Sequence, residues 1–136
     1  MKLSSLKIDS AKIEAGAWVR DIPGLAGIAL KVRGRQNALS RAFQAKALEA
    51  VSRIERITGV DQKTSEKIDI DDLVENVLID WSGLEDDAGR PLAFSKDEAR
   101  RLLSDPDFTI LRGAVAYAAG VVADIGVASL EDDLGN

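Results

Sequence analysis

The sequence predicts an α+β fold, rich in helix, with an N-terminal β-hairpin, a long middle helix and C-terminal helices. Three observations carry this. Residues 27–33, GIALKVR, set Ile28, Leu30 and Val32 against Ala29, Lys31 and Arg33, the period of a half-buried strand. Residues 35–58 place Leu39, Phe43, Ala47, Val51 (or Ala50), Ile54 and Ile57 at helical spacing. Residues 108–125 are apolar nearly all round, the mark of a deeply buried helix or of one that offers a face to another chain.

A chain of 136 residues fits a single domain over 1–136. Within it the hairpin and long helix span 1–60, a linker spans 61–72, and a strand–turn–helix unit with the final helix spans 73–136. Aromatic residues are only 4% of the chain, so the core must be built from Leu, Ile, Val and Ala. There is no cysteine and no histidine. That excludes disulfides, thiolate metal sites and any triad that needs an imidazole. The expectation is therefore a protein that is not an enzyme, with no cofactor and no metal.

Charge divides the chain. Residues 1–67 carry 13 Lys+Arg against 7 Asp+Glu, and residues 68–136 carry 5 against 16, for a net charge of −5. Opposite halves suit either neutralisation within one fold or contact between neighbouring copies, a possible homo-oligomer. A net acidic chain argues against nonspecific nucleic-acid binding. The start has no apolar run of signal-peptide length, and Gly113 to Ala123 is too short to span a bilayer, so a cytoplasmic, membrane-free protein is expected.

In chain order, residues 1–15 read as an extended arm or the lead-in to a strand. Gly16 to Ile22 reads as the first strand, and the Asp21–Gly27 turn, with Pro23-Gly24 in it, makes a hairpin with residues 27–33. Gly34 ends the second strand. Asn37 or Ser40 suits the cap of the long helix over 35–58, and Gly59 suits its C-terminal stop. Part of so long a helix is expected to meet a partner copy. Asp61 to Asp72, DQKTSEKIDIDD, is polar and reads as a loop. Val74, Val77, Leu78 and Trp81 fit a helical stripe, while Val77, Ile79 and Trp81 fit a strand. A turn or short helix from Asp71, with a strand emerging near Leu78, satisfies both. Acidic Ser82–Ala88 turns at Gly89, and Arg90–Phe94 returns extended. Ser95-Lys96-Asp97-Glu98 has the form of a capping box for a helix to about Leu103. Asp105-Pro106 then starts the last helix over 108–125, and the acidic tail SLEDDLGN reads as frayed or free for contact.

The candidate chemistry is sparse. The groups Asp69-Asp71-Asp72 and Glu85-Asp86-Asp87 lack calcium-loop spacing and read as solvated acidic turns. Phosphate-loop glycine patterns are absent. Lys31, Arg33 and Arg35 form a basic strand face and exit, a candidate for an acidic partner or a phosphate, against the simpler reading of a solvated face. On the last helix, Leu111, Val115 and Val122 are the candidate face for an apolar partner.

The stretch that organises the chain is Val77 to Leu103. Its Trp81-Ser82-Gly83-Leu84, Asp86-Asp87, Gly89, Pro91, Phe94-Ser95, Glu98 and Leu102-Leu103 resemble the tail assembly chaperones of long-tailed bacteriophages. The likeness covers about a fifth of the chain. The segment from Gly16 to Gly34, with its Trp-Val and Lys-Val-Arg-Gly, is similar to the start of some of those proteins. The resemblance implies a non-enzymatic role: binding the tape-measure protein, keeping it soluble, and helping recruit the tail-tube protein. It supplies no catalytic residues. The alternatives are a structural virion component, such as a connector or tail-completion subunit, and a small nucleic-acid-binding regulator.

Overall fold

The computed structural model describes residues 1–124. β2 (Ala29–Val32) is the middle strand of a three-stranded antiparallel sheet, flanked by β1 (Ala17–Val19) and β3 (Leu78–Ser82). Register explains why the alternation was readable. Val19, Leu30 and Trp81 form one cross-strand row, and Ala17, Val32 and Leu78 form the next, all buried on one face. Trp18, Lys31 and Asp80 form the opposing row, half-buried on the other face. A bulge between Lys31 and Val32 accommodates β3.

The described residues also form six α-helices: α1 (Ser10–Ala15), α2 (Ala38–Ala50), α3 (Arg53–Thr58), α4 (Gln62–Asp72), α5 (Lys96–Ser104) and α6 (Thr109–Asp124). The fold is the expected one: helix-rich, with a small sheet fed by N-terminal strands, a middle helix and C-terminal helices. α6 lies on the buried face of the sheet. The Arg35 amide donates to the Ala119 carbonyl at 3.0 Å and fastens the end of β2 to that helix.

Four local expectations change. The arm at 1–15 forms a 3-10 turn (Leu3–Leu6) and α1, capped by the Asp9 carboxylate, which accepts from the Lys12 amide. The middle helix stops at Ala50. Ser52 Oγ then accepts from the Glu55 amide and starts α3, because a serine just past a β-branched residue satisfies a new helix end better than it continues an old one. Of residues 61–72, expected as a linker, Gln62–Asp72 form α4, which runs into a π turn over Leu73–Val77 and then β3. Its polar sequence is helical through tertiary contact: Ile70 is buried, Glu66 pairs with Arg112 at 2.9 Å, and Asp71 pairs with Arg100. The Ser95 cap forms, with the Glu98 amide donating to Ser95 Oγ at 3.0 Å, but the Glu98 carboxylate turns to Arg101 and does not close the box. Ile125 and the acidic tail lie outside the described residues.

Trp81 is core. Its indole N–H donates to the Leu92 carbonyl at 2.8 Å, and its ring meets Phe94 edge to face at 4.9 Å. That contact holds the return segment 90–94 against the sheet, alongside a single antiparallel bridge between Glu85 and Pro91.

Candidate partner-binding site

α6 has two apolar faces, and the sheet takes one of them. Leu111, Val115 and Val122 point into the core with Ala114, Ala118 and Ala119, and Val115 is 0% exposed. This corrects the expectation that these three form a partner face. The small alanines let the helix settle close to β1 and β2, so the face that carries the most branched side chains is spent inside the protein. The opposite face stays open. Ile110, Gly113, Ala116 and Tyr117 are exposed there, with Tyr117 at 48%. A side chain at Gly113 would meet nothing within 4 Å, so the helix backbone is approachable at that point. An apolar stripe with a bare backbone at its centre is a surface on which another helix can pack closely.

The basic residues do not converge. Lys31 stands between Trp18 and Asp80 in the outer row of the sheet. Arg33 Nε donates to the Glu14 carbonyl at 3.0 Å, tying β2 to α1. Arg35 pairs with Asp124 at 2.8 Å. Two of the three cations therefore have intramolecular work, and the third lies on the outer face of the sheet in one row with Asp80.

A second feature escaped the sequence reading. A groove of about 470 Å³ opens where the 84–92 turn, the end of α5 and the start of α6 meet. Leu25, Leu84, Leu92 and Leu111 give it an apolar floor, Phe108 and Ile110 form one lip, and Glu85, Asp87 and Asp107 stand on its rim. Asp86 builds the turn: its Oδ1 accepts from the amides of Ala88 and Arg90, each at 2.9 Å. The one cation of the lining among the described residues, Arg101, is held by Glu98, which leaves the rim acidic. Leu84 and Leu92 on either side of an acidic turn were the available signal.

The acidic residues near 69–75 are structural. Asp72 accepts from Asn76 Nδ2 at 2.8 Å. Burial, reinforced by Asp72, raises the pKa of Asp69. Glu75 accepts from Lys96 at 3.1 Å and from Arg100 at 2.7 Å. Those hydrogen bonds, Lys96 first, hold the Glu75 carboxyl below its ordinary value. Because the folded pKa is lowered, this clasp between the π turn and α5 stabilises the fold above the ordinary carboxylate range and is lost as pH falls through the lowered value. Glu75→Gln should melt slightly below the wild type at pH 7, with the gap narrower at pH 3, below the ordinary carboxylate value of about 4.3. Thermal scans at both pH values, at low salt, read the effect. It stays small because the pair is exposed and screened.

Among the described residues no group of three or more metal-ligating side chains is placed to hold an ion, and no helix is long and apolar enough to cross a membrane. No curated protein and no solved structure matches the chain. Residues 36–136 match the family described as YdaY prophage protein, a span that starts just after β2 and takes in α2 to α6 and β3. With most of its length covered by that match, the chain belongs to the YdaY prophage protein family.

Proposed function

We propose that this prophage protein is a tail assembly chaperone. It acts by binding, without catalysis, in the cytoplasm of the bacterial host: it holds the tape-measure protein soluble and helps bring up tail-tube subunits. Family membership supports the phage setting, and the resemblance over residues 81–103 supports the tail role. The observation that carries the reading is the open face of α6, where Ile110, Gly113, Ala116 and Tyr117 form an apolar helical stripe with no covering element among the described residues. A client rich in amphipathic helix would lay its apolar face there.

Co-expression with the tape-measure protein of the same prophage, followed by affinity capture and sizing, tests this. The client should co-purify in soluble form with the wild type. Tyr117→Asp should weaken binding about tenfold or more, as loss of a central aromatic anchor does. Its melting temperature should stay close to the wild type, because Tyr117 is 48% exposed. A client that aggregates regardless while this chain stays alone overturns the reading. Recovery of the chain in purified particles would also overturn it, in favour of a virion component.

A further inference from the structure

We propose that the acidic groove of one copy takes α3 of a second copy, so that the chain associates head to tail. This goes beyond the client-binding reading and rests mainly on other side chains, with Ile110 shared by the two surfaces. α3 is a helix without a core. None of its residues is buried, and Ile54 and Ile57 are 74% and 76% exposed on neighbouring positions of one side. Arg53 and Arg56 each stand one position before one of them, and neither forms an ion pair among the described residues. The groove presents the complement: leucine side chains below, with Glu85, Asp87 and Asp107 around the rim. Two isoleucines, each with an arginine one position before it, match an apolar slot rimmed by carboxylates in charge and in type of surface. No residue of α3 lines the chain's own groove, so this matching pair is unsatisfied within one copy.

The two patches differ, so the contact is heterologous. Each copy that donates α3 keeps an open groove for the next, and growth continues unless the rotation closes a ring. The division of charge between the two halves of the chain then has a physical use: it orients neighbours and disfavours groove-to-groove or α3-to-α3 contact.

Light scattering coupled to size exclusion, across a concentration series at low salt, tests the proposal. The wild type should exceed monomer mass and grow with concentration. An α3 variant, Ile54→Asp with Ile57→Asp, and a groove variant, Asp87→Lys with Asp107→Lys, should each weaken association at least tenfold, with helical circular dichroism retained. All four positions are exposed, so folding is preserved. Mixing the two variants should give a one-to-one dimer that grows no further, since only one intact α3 and one intact groove can meet. A wild type that stays monomeric overturns the proposal. So does either variant assembling like the wild type, or a mixture that fails to pair. Tyr117→Asp, which disables the proposed client face, should leave this self-association unchanged.

Discussion

Changing Asn37 to alanine should lower stability by about 3 kcal/mol, seen as a shift of the urea midpoint without a change of slope and a fall in melting temperature of about 10 °C. Asn37 is 0% exposed, and all of its side-chain polar atoms are used. Its Oδ1 accepts from the Ser40 amide at 2.9 Å and caps α2. Its Nδ2 donates to the Gly34 carbonyl and to the Asn76 carbonyl, each at 3.0 Å. One side chain therefore joins the end of β2, the start of α2 and the π turn that leads into β3. Loss of the cap alone costs about 1 kcal/mol. The Asn76 carbonyl is then left facing an apolar methyl, and an unsatisfied buried polar group adds about 1–3 kcal/mol. Aspartate makes the sharper comparison. Asn37→Asp keeps the cap acceptor but turns a buried carboxylate toward two carbonyl oxygens. Its folded pKa should rise above the unfolded value, so the variant should be most stable in acid, where a protonated oxygen can donate, and should weaken as pH rises.

Asn37 also shows how far the sequence could be read. As a helix cap it was visible, with Ser40 as its rival, because capping is a matter of a few adjacent residues. Its bond to Asn76 spans 39 positions, and no local pattern carries that information. The sheet was legible for the same reason as the cap: Leu30 and Val32 alternate with Lys31 and Arg33, and one face had to be buried. α4 was not legible. DQKTSEKIDIDD has too few apolar residues to announce a helix, and the partners that hold it, Arg100 and Arg112, lie on α5 and α6. α6 was legible as a helix but not in orientation. With apolar residues on every side, periodicity gives two equivalent stripes, and the choice between them is made by what the sheet can accept. The stripe with Leu111, Val115, Ala118 and Val122 is flat enough to lie on β2. The stripe with Ile110 and Tyr117 carries a phenol whose hydroxyl prefers water. A candidate face taken from the first stripe was bound to be core. The groove was illegible as a whole, because its walls come from three separate parts of the chain.

Gly83→Ala should cost about 3 kcal/mol, and it separates two effects that glycine replacements usually mix. Gly83 closes β3 with φ at +91°, a conformation costly for a side chain. A Cβ there would also run into the Gly27 carbonyl oxygen, with the Gly27 carbonyl carbon at 3.2 Å and Ile28 Cα at 3.3 Å. All of these are backbone atoms at the entry to β2, and they cannot rotate away. Gly24 is the control. Its φ is +83°, but a Cβ would meet nothing within 4 Å. Gly24→Ala should therefore show only the conformational cost, about 1 kcal/mol. The excess at Gly83 measures the close approach of the two backbones. The position matters beyond stability. Gly83 sits immediately before Leu84, and Gly27 two residues after Leu25, and both leucines line the groove. An alanine that forces the two segments apart must widen the groove floor. If the groove receives α3 of a neighbouring copy, Gly83→Ala protein that is still folded at low temperature should associate less than the wild type, while Gly24→Ala should assemble normally. Equal assembly by the two variants would mean that the crossing of these backbones serves the sheet alone.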